Sequence, residues 1–277
     1  MSLFICTSNQ GKLAEFSNML SAENKIIGIR DLKKIESIKQ IEAIENSDYF
    51  FSNALIKILS ALKYISDNFK IKEFNEIEKI IVDDSGLCVP ALNFLPGVHS
   101  ATYAGSPKDD TNNRKKLIYE IGNLGSTTDF QNEKRTPAFF VCFLIEIAIK
   151  DLKSNSIINY NIKDAKSLVN KNIIEFEEKC LHKVDFNSDG GFFTDKISIP
   201  TLIPQFISNF ILNIHYGFCC GEVSNSEQNL IQGAGHGYDS LFYSVSKKDL
   251  SFASITMEEK NAKSHRAFAM KAMRGDF

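Results

Sequence analysis

The stretch Ile80-Ile81-Val82-Asp83-Asp84-Ser85-Gly86-Leu87 constrains this chain more than any other. An apolar run meets two adjacent carboxylates with no polar residue between. Short apolar runs bounded by turn formers read as buried strands, and Asp, Ser and Gly are ordinary turn residues. Two readings stay open on this segment alone. The strand Lys79 to Val82 ends in a plain turn, or it delivers carboxylates to a reaction centre. The local residues favour the turn. Neighbouring strand residues face opposite sides, so under the second reading Asp83 and Asp84 do different work.

The rest of the chain alternates strands and helices. Leu3 to Cys6 reads as a short buried strand and Thr7-Ser8-Asn9-Gln10-Gly11 as a turn. Lys12 to Ala22 places Leu13, Phe16 and Leu20 at helical spacing. Strand, Gly-containing turn and helix in this order present backbone N–H groups to an anion. The GxxxxGK[ST] pattern of a Walker A loop is absent. Phe50 to Phe69 and Asn112 to Ile121 predict helices, Phe139 to Ile149 a central strand, FCCGEV after Gly217 and Ser240 to Val245 further strands, and Thr256 to Met273 a helix or helix pair. Strands mixed with helices throughout predict an α/β protein.

Residues 151 to about 210 differ from the rest, being rich in Asn, Lys and Ile. Within them Ala165, Leu168, Val169, Ile173, Phe176 and Cys180 predict one amphipathic helix face. Asp189-Gly190-Gly191, Pro200 and Pro204 follow. The segment reads as an inserted subdomain or excursion at about 151–214 within a single domain spanning 1–277.

Composition excludes several classes. The chain has 277 residues, 43% hydrophobic and 24% charged, with a net charge of -2. This is a globular composition, without the basic excess of a nucleic-acid surface. The opening MSLFICTSNQGK has no basic region before its apolar run, and no stretch is long and apolar enough to span a membrane. The six cysteines form no CxxC pair and several sit in apolar runs. They read as reduced core residues of a cytoplasmic protein.

Four segments then line up in one order: TSNQGK at 7–12, VDDSGLCVPALNFLPGVHSATYAG at 82–105, GHGYDSLF at 235–242 and TMEEKNAKSHRAFAM at 256–270. Together they resemble the inosine triphosphate pyrophosphatase family, whose members hydrolyse non-standard purine nucleoside triphosphates. The family pattern runs T-[GS]-N-x-x-K, then DDSGLxVxALxGxPGxxSARYxG, then GFGYDPxF, then SHRxxAL. The resemblance covers residues 1–150 and about 215–273. It implies an elongated mixed central β-sheet flanked by helices, in two lobes with a nucleotide cleft between them, and a homodimer.

The implied reaction is NTP + H₂O → NMP + pyrophosphate, on ITP, dITP or XTP. Such a substrate needs a divalent cation, and Mg²⁺ prefers one or two carboxylates together with phosphate oxygens and waters. The resemblance assigns metal contact and water activation to Asp84, and leaves Asp83 a bracing role. A second metal carboxylate precedes the family's TFxENA helix start. Aligning YFFSNALIK on Asn53-Ala54 places it at Glu45. That motif is altered here, with Ser47, Tyr49 and Ser52 at family positions for Gly, Thr and Glu, so Glu42 and Asp48 remain alternatives.

Phosphate binding falls to Thr7, Ser8, Asn9, Gln10, Gly11 and Lys12, with a hydroxyl from Ser85. Lys260, His265 and Arg266 match the family's substrate-contacting residues. His236 stands where the family carries an aromatic residue against the purine, and Gly237, Tyr238 and Asp239 complete that loop. No catalytic role attaches to Arg135. Two other readings stay open. The Maf-like pyrophosphatases lack support because their SxSPRR signature is absent. A catalytically weakened nucleotide-binding protein, with the insertion contacting a partner, is the alternative from another class.

Overall fold

The protein is described as a computed structural model over residues 1–20, 22, 24–32, 43–67, 74, 76–125, 128–130, 133–149, 164–203, 211–227 and 237–275. Eight strands form one mixed sheet: β1 (Ser2–Ile5), β2 (Lys25–Gly28), β3 (Lys79–Cys88), β4 (Thr128–Phe130), β5 (Glu133–Ala148), β6 (Gly190–Ser198), β7 (Ile211–Ser224) and β8 (Phe242–Ser244). Their order is β2-β1-β3-β5-β7-β6, with β4 paired to β5 and β8 to β7. β1 is parallel to both β2 and β3, whereas β4 and β8 pair antiparallel. The helices are α1 (Gln10–Leu20), α2 (Ile29–Leu32), α3 (Phe50–Asp67), α4 (Asp110–Gly122), α5 (Lys171–Leu181), α6 (Ile199–Leu202), α7 (Met257–Lys263) and α8 (His265–Arg274). The expected α/β fold with a mixed sheet flanked by helices is the one observed.

The chain divides into two compact units. The first holds Met1–Asp84, Phe143–Cys180 and Thr194–His215; the second holds Ser85–Cys142, Leu181–Phe193 and Tyr216–Phe277. In the first, Phe51, Leu55, Leu59, Ile81, Phe143 and Ile145 are fully buried. In the second, Leu87, Tyr103, Leu117, Phe140, Cys219 and Phe242 share one core cluster. All six cysteines are buried thiols outside any disulfide. No helix among the described residues is long and apolar enough to cross a membrane.

β3 departs from the expectation of a strand that stops at Val82. It runs on through Asp83, Asp84, Ser85 and Gly86 to Cys88. Only Lys79 and Ser85 along it are more than slightly exposed, the mark of a strand covered on both faces. Extended backbone can carry the two carboxylates inward because each meets an ammonium, as described below.

The segment read as an insertion also differs from expectation. Ala165 and Leu168 belong to a 3₁₀ turn around Lys166–Leu168 and not to a helix. Asn170 explains the boundary: its Oδ1 accepts from the backbone N–H of Asn172 (2.9 Å) and Ile173 (3.2 Å), the pattern of an N-cap. On α5, Ile173, Phe176, Glu177 and Cys180 are the buried residues. The Gly190-Gly191 stretch opens β6, an end strand of the sheet that no periodicity announced. Residues 151–163 and Pro204 lie outside the described residues.

The C-terminal helix pair breaks at Ser264. That residue is extended (φ -71, ψ 157), and its side chain accepts from Ala267 N–H to start α8. α7 starts with a capping box of Thr256 and Glu259.

Candidate active site

The predicted residues fall into one group in each unit. In the first unit, the turn after β1 is closed on itself. Asn9 Oδ1 accepts from the backbone N–H of Gly11 (2.9 Å) and Lys12 (3.2 Å), and Asn9 N–H donates to Thr7 Oγ1 (3.2 Å). Asn9 therefore caps α1. The N–H groups assigned to phosphate are held by a side chain that must yield to admit an anion. Ser8 and Gln10 are exposed beside them.

Lys12 Nζ donates to Asp83 Oδ2 at 2.7 Å, so the expected bracing role of Asp83 has a partner. Glu45, Lys57 and Asp84 form a charge cluster in this unit. Lys57 Nζ lies 2.6 Å from Glu45 Oε2 and 3.0 Å from Asp84 Oδ1, and donates to Asp83 O at 2.9 Å. The side chains of Lys57 and Asp84 are each 12% exposed and that of Glu45 43%, so the cluster opens to solvent on the Glu45 side. Burial opposes the Lys57 charge. Asp84, Glu45 and Asp83 together outweigh it and hold the group as an ammonium far above its usual range. Burial pushes the Glu45 carboxyl up, with Lys57 pulling against it.

Lys57 was not singled out from the sequence. The signal was present: it is the first cation in a helix whose surrounding residues are apolar or small, four residues after Asn53. Asn53 clamps the segment that carries Glu45. Its Oδ1 accepts from Ser47 N–H (3.1 Å), and its Nδ2 donates to Ser47 O (3.0 Å). Asp48 is exposed, and Glu42 lies outside the described residues.

The donor set suits a hard divalent ion. Two carboxylates converge on one cationic position, and an ammonium already stands there as the counter-charge. Among the described residues no group of three or more His, Cys, Asp or Glu side chains is arranged to hold a metal. Mg²⁺ does not require one, since it binds through one or two carboxylates plus substrate phosphates and water. Glu45 and Asp84 therefore fit it.

In the second unit, Arg266 Nη2 donates to Ser85 Oγ at 3.2 Å. His265 stacks flat on Phe140, with ring centroids 5.0 Å apart and 15° between planes. Lys260 and Asp239 form a buried pair at 2.5 Å, so the side chain expected to touch substrate is engaged with the loop after Gly237. Tyr238 belongs to the core cluster, and its hydroxyl donates to Ser100 O at 2.9 Å. Gly237 has φ +62, a left-handed conformation open to glycine at no steric cost. Arg114 on α4, another residue missed in the sequence, donates to Gly237 O at 3.2 Å and pairs with Glu227. His236 lies outside the described residues. Arg135 is buried against the Tyr243 ring and bonded to Glu133 and Lys248 O, a packing role.

α8 reaches its place by close approach to β7. A Cβ at Gly217 would meet Ala269 N and His265 O at 2.4 Å each. The glycine lets the helix carrying His265 and Arg266 lie directly on strand backbone.

Known proteins resemble this chain in sequence and in fold. The chain is 30% identical over 233 residues to the dITP/XTP pyrophosphatase of Malacoplasma penetrans, covering 83% of this chain and 91% of that one. It is 26% identical over 269 residues to the dITP/XTP pyrophosphatase of Bacillus anthracis, covering 97% and 92%. A match to the dITP/XTP pyrophosphatase of a Sulfurovum species is 36% identical over 140 residues but spans only 58% of that relative. Among solved structures, a Ham1 protein from Coxiella burnetii superposes with TM-score 0.61 at 21% identity, covering 100% of this chain and 98% of that one. The Staphylococcus aureus Ham1 protein gives 0.56 at 23% identity, covering 100% and 97%. At these identities the structures speak to fold alone. The Ham1 family model matches residues 3–163 and 204–276, on both sides of the segment 164–203. The chain belongs to the Ham1 family.

Proposed function

We propose that this protein hydrolyses non-canonical purine nucleoside triphosphates (ITP, dITP and XTP) to the monophosphate and pyrophosphate. The observation that carries this reading is the convergence of Glu45 and Asp84 on Lys57, in a chain whose relatives bear the name dITP/XTP pyrophosphatase. Glu45 and Asp84 would hold Mg²⁺, which when bound neutralises phosphate charge and polarises the phosphoryl oxygens.

The other residues act around that pair. Asp84 accepts the proton of the attacking water. Lys57, the counter-charge of both carboxylates, would offer its ammonium to phosphate oxygens. The Thr7–Lys12 turn and Ser85 receive the phosphates, with Asp83 fixing Lys12. His265, Arg266 and Lys260 serve the nucleotide, and Gly237, Tyr238 and Asp239 shape the loop that faces it. His236 is the residue through which base preference is set.

The protein is further inferred to be one domain with an insertion at about 151–214, to form a homodimer and to work in the cytoplasm. Its six buried thiols support the last point, because such residues persist in a reducing compartment. Sedimentation of the full chain measures the dimer.

The reading is tested by pyrophosphate release from ITP, dITP, XTP, ATP and GTP with Mg²⁺, for wild type, Asp84→Asn and His236→Phe. Turnover of the first three that is lost in Asp84→Asn is the expected result. Tight nucleotide binding with no Asp84-dependent turnover would overturn it and return the weakened-binding alternative. Unchanged discrimination in His236→Phe would remove that residue from base selection.

A further inference from the structure

The N-terminus of α3 is held by a residue more than a hundred positions away. Glu177 on α5 accepts from the backbone N–H of Phe50 (3.2 Å) and of Phe51 (2.7 Å). These are donors of the first helical turn, which no intrahelical carbonyl can satisfy. Local sequence offers no substitute: Tyr49 and Ser52 occupy the two positions at which Ser or Thr and Glu would form a capping box. Ser52 instead donates its hydroxyl to Ala165 O at 2.6 Å. Phe51 packs on Phe176, one residue before Glu177, with centroids 4.6 Å apart.

The same segment holds both neighbours of Glu45. Ala165 N–H donates to Ile44 O at 2.9 Å, and Lys166 N–H to Asn46 Oδ1 at 3.0 Å. Lys57 lies seven residues after Phe50, two turns along the same helix face and about 10 Å down the axis. Whatever fixes the first turn of α3 therefore fixes where Lys57 stands. Residues 164–203 separate the two family-matched stretches.

We propose that segment 164–181 is a positioning element for the Glu45–Lys57–Asp84 site, with Glu177 as its anchor. It sets the placement of α3 from one side and of Glu45 from the other. This rests on the cation-site reading above. The residues act through Lys57 and Glu45 and touch no substrate themselves.

The test is Mn²⁺ binding to the full chain, followed by its electron paramagnetic resonance signal with no nucleotide present. Supporting residues of metal sites change affinity by about 10-fold or more when removed, and Glu177→Ala is expected to weaken Mn²⁺ by that order. Glu177→Gln keeps one acceptor and should retain part of the affinity. Leu117→Ala, a cavity in the core of the second unit, should lower the urea midpoint while leaving Mn²⁺ affinity in place. Unchanged affinity in Glu177→Ala and Glu177→Gln overturns the proposal, as does an equal loss in Leu117→Ala. If the alanine variant fails to fold, the glutamine variant decides. A wild type that binds no Mn²⁺ removes the cation site and this proposal with it. One that binds Mn²⁺ but releases no pyrophosphate overturns the proposed activity and leaves the positioning role standing.

Discussion

Lys12 Nζ lies 2.7 Å from Asp83 Oδ2 and ties the turn after β1 to β3 within the first unit. The Asp83 side chain is 1% exposed and that of Lys12 16%. Removing one partner of a buried pair costs more than the pair contributes, because a charge stays buried without its counter-ion. Lys12→Met should lower unfolding free energy by about 3 kcal/mol. Asp83→Asn should cost less, since the amide oxygen still accepts from the ammonium. Urea titrations of both variants check this; equal losses would mean that the pair does not act as a pair.

Gly217→Ala should loosen α8 from β7. The added methyl would sit 2.4 Å from two backbone atoms of that helix, and backbone cannot rotate out of the way as a side chain can. Overpacking of this kind costs roughly 1–3 kcal/mol. Because α8 carries His265 and Arg266, KM for the nucleotide should rise along with the loss of stability. A variant with normal stability and normal KM would contradict the close-approach argument.

Acid should destabilise the fold through His215. Burial lowers its pKa from 6.5 to about 4, with Glu146 opposing; its Nδ1 side contacts Thr194 Oγ1 at 2.9 Å. Below about pH 6.5 the unfolded chain takes up a proton that the folded chain refuses until about pH 4. Stability from this group is therefore complete above pH 6.5 and lost as pH falls, by on the order of 3 kcal/mol. Thermal unfolding of His215→Gln between pH 4 and 7 should show a shallower acid limb than wild type.

Glu177 works with the opposite sign. Burial raises its pKa from 4.5 to about 8, against the lowering effect of the Phe51 and Phe50 N–H groups. Between those values the unfolded chain has released a proton that the folded chain keeps. Stability from this group falls as pH rises from about 4.5 to 8 and then levels. Glu177→Gln removes the titration, so its unfolding free energy should vary less than that of wild type between pH 7 and 8, where His215 contributes little slope. A wild-type slope that survives in the variant would assign it elsewhere.

Much of the fold was legible because it depends on local spacing. Leu13, Phe16 and Leu20 announced α1, since an apolar stripe must recur at the helical period; the helix expected over Phe50 to Phe69 has such a stripe in Ala54, Ile58, Ala61 and Ile65, all buried. Asp109 and Thr256 cap helices at the polar boundaries that precede them. β3 was misjudged at its end: Asp-Asp-Ser-Gly has turn composition, and the lysines that make it tolerable inside a strand lie 71 and 27 residues away. β6 was missed because an end strand covered on one edge needs little periodicity, and Gly190-Gly191 resembles a loop.

The candidate site divides in the same way. Asp84, the Thr7–Lys12 turn and the His265-Arg266 pair were named from segments whose residues stand next to one another. Lys57, Arg114 and Glu177 were not, because each takes its meaning from a partner brought near by packing. By itself the sequence determined many of the elements and the four segments that carry the family resemblance. Only the tertiary structure decided which ammonium meets which carboxylate, and that a residue outside the family-matched stretches caps the helix of the site. Periodicity and short motifs are properties of neighbouring residues, whereas the balance of charge in a buried place depends on every chain segment that packs around it.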